Sequence, residues 1–333
     1  MESRRVGYYI AVGAAAWVVL RALESIAYVR QMKKVSPGFL NGHNDQGDAV
    51  KNTSTGEVDN LGDRLALIES MCKKYGAILC EGPSDPSRSI NPLYCGHGAT
   101  SFYLVHSRRF GYCPVPKAAT SSLKTLLLKA EGISDPGGNA DRTFAAFYRQ
   151  FPRVHPSADL ATQLGYAYTK LIVVRHPFDR LVSAYVDKIR TTHPVISVAK
   201  KIYEDGFIYN GPNGTLTFSE FVEFILTQLV EKWDQHWAPF TALCRPCSMR
   251  YDIIAKVETF EHDLEALLPR IGLSGWSLPT RNVKTRSNDS RQQAVAQHLS
   301  ELSRQQLLQL HAIYMYDFEL FGYKLQGYTD PVL

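Results

Sequence analysis

Two stretches of the chain show the same order of an apolar run, a break and a helical pattern. In residues 101–129 (SFYLVHSRRFGYCPVPKAATSSLKTLLLK), an aromatic and β-branched stretch reaches Val115, and leucines recur at helical spacing from Leu123. In residues 170–189 (KLIVVRHPFDRLVSAYVDKI), the wholly apolar run 171–174 precedes an amphipathic pattern. Each stretch predicts a strand, a tight turn and a helix. A short run without polar residues is typical of a parallel strand covered on both faces, so we expect an α/β protein with a central parallel sheet flanked by helices.

Capping signals predict two further helices in the C-terminal half. Thr217 with Glu220 and Ser303 with Gln306 have the spacing of a capping box, in which each side chain bonds the backbone of the other residue. Aromatic and aliphatic residues follow both boxes at helical spacing. We interpret these stripes as core packing.

The N-terminal region contains an apolar segment that predicts one membrane anchor. Residues 6–20 (VGYYIAVGAAAWVVL) carry no charge, and Arg21 could reach the interface so that the span continues to about Val29. A cleaved signal peptide and a buried amphipathic helix are the alternatives. The residues that follow are rich in Gly, Asn, Asp, Ser and Thr, which is typical of a spacer. The predicted organisation is a short tail (1–5), a transmembrane signal-anchor (6–29), a flexible stem (30–64) and a folded domain (65–328), and the flanking charges do not settle its orientation.

Composition limits the class of protein. The chain has 333 residues, of which 45% are apolar and 21% charged, and these values are ordinary for a protein with a sizeable core. They exclude a protein that is disordered throughout, a coiled coil and a polytopic membrane protein. The net charge of +5 fits an anionic ligand but is too small to indicate nucleic acid as a partner.

Cysteines and sequons together favour the secretory pathway. Six cysteines are present, and an even number suits disulfides in an oxidising compartment. Asn52, Asn213 and Asn288 each begin an Asn-x-Ser/Thr sequon and are predicted glycosylation sites. Cys244 and Cys247 form a C-x-x-C pair, which we interpret as disulfide anchors with undetermined partners, because a zinc site would need a second such pair.

Candidate chemistry lies at the two predicted turns. Lys117 precedes a helix start that carries the hydroxyls of Thr120, Ser121 and Ser122, and backbone N–H groups at such a start bind anions. No Gly-Lys-Ser/Thr sequence is present, so this is not a Walker A loop. Arg175 stands at the end of the second predicted strand. Ligands of open parallel sheets bind beyond the carboxyl ends of the strands, so Lys117 and Arg175 are predicted to face one crevice.

The two turns resemble the motifs of a known enzyme family. The segments VPKAATSSLK and VVRHPFDRLVSAYVDK are similar to the 5′-phosphosulfate and 3′-phosphate binding motifs of sulfotransferases that use 3′-phosphoadenylyl sulfate (PAPS). The nearest type is the Golgi carbohydrate sulfotransferases that act on the HNK-1 epitope or as chondroitin and dermatan 4-O-sulfotransferases. The resemblance continues through TFSEFVEFIL, HWAPFTALCRPCSMRYDIIAKVETFEHDL and LSRQQLLQLHAIYMYDFELFGY, and it spans about residues 65–325.

The resemblance departs from the family pattern at two places. Leu123 stands where the family usually has Trp, and Thr120, Ser121 and Ser122 stand where it often has Cys-Thr-Asn. Hydroxyl donors survive these changes. The two departures therefore affect the expected acceptor more than the expected cofactor.

The resemblance implies a P-loop-like domain and a set of site residues. Lys117 would stabilise the charge that develops on the leaving phosphate oxygen, and Arg175 with Ser183 would hold the 3′-phosphate, for which a guanidinium fork is well suited. The implied cofactor-binding residues form two runs: Pro116, Lys117, Ala118, Ala119, Thr120, Ser121 and Ser122, and then Arg175, His176, Pro177, Phe178, Asp179, Arg180, Leu181, Val182 and Ser183.

The general base is predicted from position and chemistry. A base should titrate near neutral pH, which favours histidine or a carboxylate whose pKa burial has raised. In better-understood sulfotransferases the base lies some twenty residues before the 3′-phosphate arginine, and His155 in FPRVHPSADL has that spacing. We therefore choose His155. The alternatives are His97, His106, His236 and Asp159, while His176 has little weight because it lies inside the cofactor motif.

The resemblance also implies where the protein works and on what. We expect a single-pass type II enzyme of the Golgi membrane that transfers sulfate from PAPS, without a metal, to a sugar hydroxyl. The expected acceptor is a chondroitin or dermatan type of glycosaminoglycan, or the terminus of an N- or O-linked glycan. The basic segment 281–291 is either a solvated loop or a wall that contacts the adenosine phosphates or an anionic glycan.

Two other functions are weighed against this one. A catalytically silent glycan-binding relative would not need Lys117 and Arg175. A P-loop-type phosphotransferase would need the Walker A loop that the sequence lacks.

Overall fold

The computed structural model describes residues 60–75, 101–133, 140–190, 216–228, 233–277 and 288–325. The strands are β1 (Phe102–Val105), β2 (Phe110–Cys113), β3 (Arg153–Val154), β4 (Thr169–Val174) and β5 (Ile253–Lys256). The helices are α1 (Leu61–Tyr75), α2 (Thr120–Ala130), α3 (Ala140–Gln150), α4 (Ala158–Leu164), α5 (Pro177–Lys188), α6 (Phe218–Thr227), α7 (Phe240–Cys244), α8 (Pro246–Met249), α9 (Phe260–Arg270), α10 (Asn288–Leu299) and α11 (Arg304–Phe321).

The five strands form one sheet in the order β3-β1-β2-β4-β5. Strands β2, β4 and β5 are parallel, whereas β1 is antiparallel to both β2 and β3. The α/β class is confirmed, but the sheet is mixed where the sequence predicted a parallel one. The single strand predicted up to Val115 is two strands, because the polar residues of the 3₁₀ turn His106–Arg108 and a left-handed Arg109 (φ 46°) reverse the chain.

The parallel part of the sheet is buried on both faces. Residues 171–174 of β4 are fully inaccessible to solvent, which explains why this run holds no polar side chain. Helix α2 packs against α3, α1 and α9 pack on β5, and α10 packs on α5. Burial of each large aliphatic or aromatic side chain contributes about 1.5–3 kcal/mol to folding, so these contacts hold the sheet and the helices that carry the site.

Helix α1 belongs to the folded domain and begins in the last residues of the predicted stem. Arg64 is 3% exposed, and its Nη1 lies 2.7 Å from Asp263 Oδ2 and 2.9 Å from the Ile254 carbonyl oxygen. Cys72 forms a disulfide with Cys247. The predicted boundary at residue 65 is therefore placed too late, because a buried ion pair of α1 completes the surroundings of β5.

The C-terminal helices have the predicted caps. Both reciprocal pairs are present, Thr217 with Glu220 at α6 and Ser303 with Gln306 at α11. The C-x-x-C cysteines form disulfides as predicted, each with a different partner: Cys247 pairs with Cys72, and Cys244 pairs with Cys113 of β2.

Several predictions concern parts of the chain outside the described residues. These are the anchor (6–29), most of the stem, the sequons at Asn52 and Asn213, and His97. Among the residues that the structure describes, no helix is both long enough and apolar enough to cross a membrane. The third sequon residue, Asn288, begins α10, so the last four residues of segment 281–291 are helical rather than part of a loop.

Candidate active site

The carboxyl ends of β2 and β4 bring Lys117 and Arg175 together. These strands are adjacent and parallel, with Cys113 paired to Ile172, so the residues that follow them leave the same edge of the sheet. Arg175 Nη1 donates to the Lys117 carbonyl oxygen at 3.2 Å. The Arg175 side chain thus contacts the backbone of the loop that carries Lys117.

The loop between β2 and α2 has an unusual backbone. Lys117 (φ 69°) and Ala119 (φ 52°) both occupy the left-handed region, which is uncommon for residues other than glycine. Ala119 is the N-cap residue of α2, and its side chain makes no hydrogen bond to the helix backbone. Such a turn at a helix N-terminus points several N–H groups at one place, which suits an anion.

Thr120 supports this loop from inside. Its Oγ1 donates to the Val115 carbonyl oxygen at 2.5 Å and lies 3.3 Å from Tyr112 Oη, and the residue is 7% exposed. Ser122 is also buried, whereas Ser121 is half-buried. Of the three predicted hydroxyls, that of Thr120 is therefore occupied in closing the loop.

The Lys117 side chain forms an ion pair with Asp187. The Nζ atom lies 3.1 Å from Asp187 Oδ2, and the Lys117 side chain is 18% exposed. Burial lowers the pKa of Lys117, although the Asp187 carboxylate opposes this shift. Burial alone would raise the pKa of Asp187, but Lys117 and Lys188 outweigh that effect and the pKa is lowered. Asp187 was not predicted from the sequence; its only signal was the spacing of one helical turn from Ser183.

Arg175 directly precedes the N-cap residue of α5, and Ser183 lies on this helix. The Arg175 side chain is 17% exposed, and its Nη2 lies 4.0 Å from Asp179 Oδ2. Ser183 is half-buried on α5, four residues before Asp187. Residues four apart share a helix face, so Ser183 lies on the face from which Asp187 reaches Lys117.

Arg180 holds the loop rather than projecting into the crevice. Its side chain is 1% exposed and donates to the carbonyl oxygens of Pro116 (3.2 Å), Ala238 (2.7 Å) and Gln235 (2.7 Å). Burial lowers its pKa to about 10. Arg180 thus ties the β2–α2 loop to the segment before α7.

Most other predicted positions on α5 face the core. Phe178, Leu181 and Val182 are buried hydrophobic side chains, and Pro177 and Asp179 are buried too. The His176 backbone N–H donates to Glu258 Oε1 at 3.0 Å, and its Nε2 lies 3.1 Å from the Lys324 carbonyl oxygen. Burial lowers the pKa of His176 to about 4, so its imidazole is neutral at physiological pH.

His155 lies at the same edge of the sheet as Lys117 and Arg175. Strands β3 and β2 run in the same direction because both are antiparallel to β1, and His155 directly follows β3. The β3 strand is two positions from β2 in the sheet, roughly 10 Å away. The side chain of His155 is exposed.

The other described candidates for the base differ in position. His106 lies between β1 and β2 at the opposite edge, where its Nδ1 is 2.6 Å from Tyr168 Oη. His236 Nδ1 is 2.5 Å from Asp234 Oδ1, and the neighbouring Gln235 lines a cavity at the crevice. Asp159 is exposed in the first turn of α4.

A small cavity adjoins the β2–α2 loop. It is lined by residues from β1, β2, the loop, α3 and α7, namely Ser101, Tyr103, Cys113, Pro114, Pro116, Tyr148, Gln235 and Leu243. Tyr148 is 48% exposed although it is a large aromatic residue. Tyr148 was not predicted from the sequence as a site residue. The signal for it was the spacing of Phe144, Phe147 and Tyr148, which places three aromatic rings along one helix face.

Within the described ranges, acidic, histidine and cysteine side chains nowhere form a group of three or more that could hold a metal ion. The features of the site are Lys117, Arg175, the N-terminus of α2 and the cavity beside the β2–α2 loop.

Comparison with known proteins gives a consistent picture. Residues 101–324 match the model of the sulfotransferase family. The chain is 32% identical to carbohydrate sulfotransferase 9 of Homo sapiens over 286 residues, which cover 81% of this chain and 60% of that protein. It is 30% identical to carbohydrate sulfotransferase 11 of Mus musculus over 65% of each chain, and 30% identical to carbohydrate sulfotransferase 14 of Danio rerio over 72% of this chain and 67% of that protein. The match thus spans less than two thirds of the length of the first two relatives. No solved structure matches the chain.

Proposed function

The chain belongs to the sulfotransferase family, and from this we propose that it transfers the sulfuryl group of PAPS to a hydroxyl of a carbohydrate. The observation that carries the proposal is the hydrogen bond from Arg175 to the Lys117 carbonyl oxygen beside the start of α2, where the N-cap residue Ala119 supplies no side-chain acceptor. The names of the relatives, all carbohydrate sulfotransferases, support a sugar as the acceptor.

The site has the features that a donor with two phosphate ends requires. The left-handed loop and the N-terminus of α2 present backbone N–H groups, which suit the 5′-phosphosulfate end. Arg175 and Ser183 are proposed to hold the 3′-phosphate, because a guanidinium binds a phosphate through two parallel hydrogen bonds. Bound PAPS supplies an activated sulfuryl group; the protein contributes charge and position.

Lys117 is proposed to stabilise the leaving group. During transfer the bond between sulfur and the bridging phosphate oxygen breaks as the sugar oxygen bonds to sulfur, and negative charge collects on that phosphate oxygen. An ammonium beside that oxygen lowers the barrier, as an oxyanion-hole donor does. Lys117 is paired with Asp187 at 3.1 Å, so an anionic ligand competes with this carboxylate for the ammonium.

The decisive experiment replaces the two cations. Lys117→Ala should lower the turnover of ³⁵S-labelled PAPS with a panel of desulfated glycans by about 10²–10³-fold, which corresponds to roughly 3–4 kcal/mol of lost stabilisation. Arg175→Ala should weaken binding of the desulfated product, 3′-phosphoadenosine 5′-phosphate (PAP), in calorimetry. The exposed Lys73 on α1 offers a control, since Lys73→Ala should change neither quantity. Retention of more than a tenth of the turnover by Lys117→Ala would contradict the assigned role.

His155 is our proposed general base from the sequence. Its support is its place at the sheet edge that carries Lys117 and Arg175. If His155 takes the proton of the acceptor hydroxyl, His155→Ala lowers kcat by about 10²-fold while PAP affinity is unchanged. His262→Ala is the matched control, because His262 is largely exposed on α9. An unaltered kcat in His155→Ala would exclude His155 as the base.

The acceptor and the cellular site are extensions of this proposal. We propose a glycan acceptor of the chondroitin or dermatan type or an N- or O-linked terminus. We also propose a type II Golgi membrane protein anchored by residues 6–29, with the catalytic domain in the lumen and beginning near Leu61. The two disulfides, Cys72–Cys247 and Cys113–Cys244, support an oxidising compartment.

A further inference from the structure

Lys124 is a buried lysine in an aromatic cage. It lies on α2 one turn after Thr120 and is 1% exposed. Its Nζ is 4.3 Å from the ring centroid of Phe144, 5.1 Å from that of Phe147 and 4.1 Å from that of Tyr148. Within the described residues no carboxylate pairs with this ammonium, and its one hydrogen bond is to Tyr148 Oη at 2.8 Å.

A lysine in this position would destabilise the fold if its role were purely structural. Taking an unpaired charge out of water costs several kcal/mol, so an aliphatic side chain of similar volume would fill the same space with less penalty. Burial lowers the pKa of Lys124 to about 7. A large share of the amine is then neutral at physiological pH and has a free lone pair, which is the state that a general base requires.

Tyr148 connects this amine to the cavity at the site. Tyr148 lines the cavity together with Pro114 and Pro116, which lie just before Lys117, and its hydroxyl contacts Lys124. Burial raises the pKa of Tyr148 to about 12, so the phenol keeps its proton. The other titratable or charged groups that act on Tyr148 come from three strands, and they are Tyr103 of β1, Tyr112 of β2 and Arg153 of β3.

We propose that Tyr148 and Lys124 form a relay that takes the proton of the acceptor hydroxyl. The sugar O–H gives its proton to Tyr148 Oη, the Tyr148 O–H gives its own proton to the lone pair of Lys124 Nζ, and the sugar oxygen forms its bond to sulfur. The bond between sulfur and the phosphate oxygen of PAPS breaks, and the electron pair leaves with PAP. The products are the sulfate ester, PAP and a Lys124 ammonium, which returns its proton to solvent through Tyr148. This inference rests on the proposed function.

The relay also defines the catalytic part of the cavity. Tyr148 is the catalytic residue, since its hydroxyl would touch the sugar, and Lys124 acts through it. The relay and His155 are alternative acceptors of the proton of the sugar hydroxyl. If the relay accepts it, Tyr148→Phe lowers kcat; if His155 accepts it, His155→Ala does.

The first test uses activity. Wild-type transfer of ³⁵S from PAPS to the glycan panel comes first; no transfer to any glycan would contradict the proposed function itself. Given activity, Tyr148→Phe should lower kcat about 10²-fold with PAP affinity unchanged, because the change removes one hydroxyl from a half-exposed side chain and keeps its ring. Tyr166→Phe is the control, since Tyr166 is fully exposed near the start of β4, at the opposite edge of the sheet. A fall of less than tenfold in Tyr148→Phe, or a loss confined to His155→Ala, overturns the relay.

The second test uses pH. In the wild type, kcat should rise with pH through a midpoint near 7 as Lys124 loses its proton. Lys124→Met should lower kcat and abolish this rise, whereas Lys129→Met, a change of an exposed lysine on the same helix, should keep it. A Lys124→Met enzyme that retains the same pH profile overturns the assignment.

The third test needs no substrate. Unfolded Lys124 has an ordinary pKa near 10.5 and the folded residue one near 7, so between these values the unfolded state binds a proton that the folded state lacks. The contribution of Lys124 to the free energy of unfolding therefore rises with pH between these two pKa values. The unfolding midpoint of Lys124→Met should exceed that of the wild type most at or below pH 7, and the gap should close toward pH 10. A gap that does not depend on pH overturns the assignment of a neutral, buried amine.

Discussion

At the scale of single residues, the pair of Lys117 and Asp187 shows how the site is set before a ligand binds. Asp187 is 48% exposed in its side chain and also lies 3.2 Å from Lys188 Nζ. A partly solvated carboxylate can leave an ion pair at modest cost, so it holds the ammonium without binding it permanently. An anionic ligand at Lys117 would therefore compete with Asp187 for the ammonium.

Removal of this competitor should strengthen binding of an anion. Asp187→Asn keeps the size of the side chain and removes its charge, so PAP affinity in calorimetry should increase by about three- to tenfold, that is by up to about 1.4 kcal/mol. Glu265→Gln is a matched control on the exposed surface of α9, where no change is expected. Weaker binding in Asp187→Asn would show that Asp187 positions Lys117 instead of competing for it.

At the scale of elements, the sequence predicted the features that depend on residues close together in the chain. The caps of α6 and α11 and the strand-turn-helix order at β2–α2 and β4–α5 were all recognisable, because each depends on residues a few positions apart. The turn between β1 and β2 was missed, since apolar residues on both sides of His106–Arg108 read as one strand. Strand direction depends on pairing with distant segments, which no local pattern encodes.

The proximity of Arg175 to the loop that carries Lys117 was predictable, because both residues follow the ends of parallel strands. Helix α5, in contrast, shows the limit of a motif. A motif includes residues that build the helix as well as those that face the crevice, and Phe178 and Leu181 prove to be core residues. Lys124 was missed for a related reason: a lysine within a helical pattern is usually exposed, and only the packing of α3 encloses it.

At the scale of the whole molecule, two disulfides within the described residues join segments that are far apart in sequence. Cys72–Cys247 links α1 to α8 across 175 residues, and Cys113–Cys244 links β2 to α7 across 131 residues. Closure of loops this long restricts the unfolded chain by similar amounts, and each bond should contribute about 2–5 kcal/mol. The bonds differ in position, because only Cys113 lines the cavity and directly precedes the β2–α2 loop.

This difference predicts that the two disulfides affect stability alike but binding unequally. The Cys72→Ser/Cys247→Ser and Cys113→Ser/Cys244→Ser variants should lose similar free energies of unfolding in chemical denaturation, because their loops are of similar length. At a temperature where both are folded, only the second variant should bind PAP at least tenfold more weakly. Its missing bond frees α7 from the strand that leads to Lys117, and the loop is then held by hydrogen bonds such as those of Arg180 with Pro116 and of Arg175 with Lys117. Each variant is the control for the other, and equal PAP affinities would show that these hydrogen bonds are sufficient to keep the loop in place.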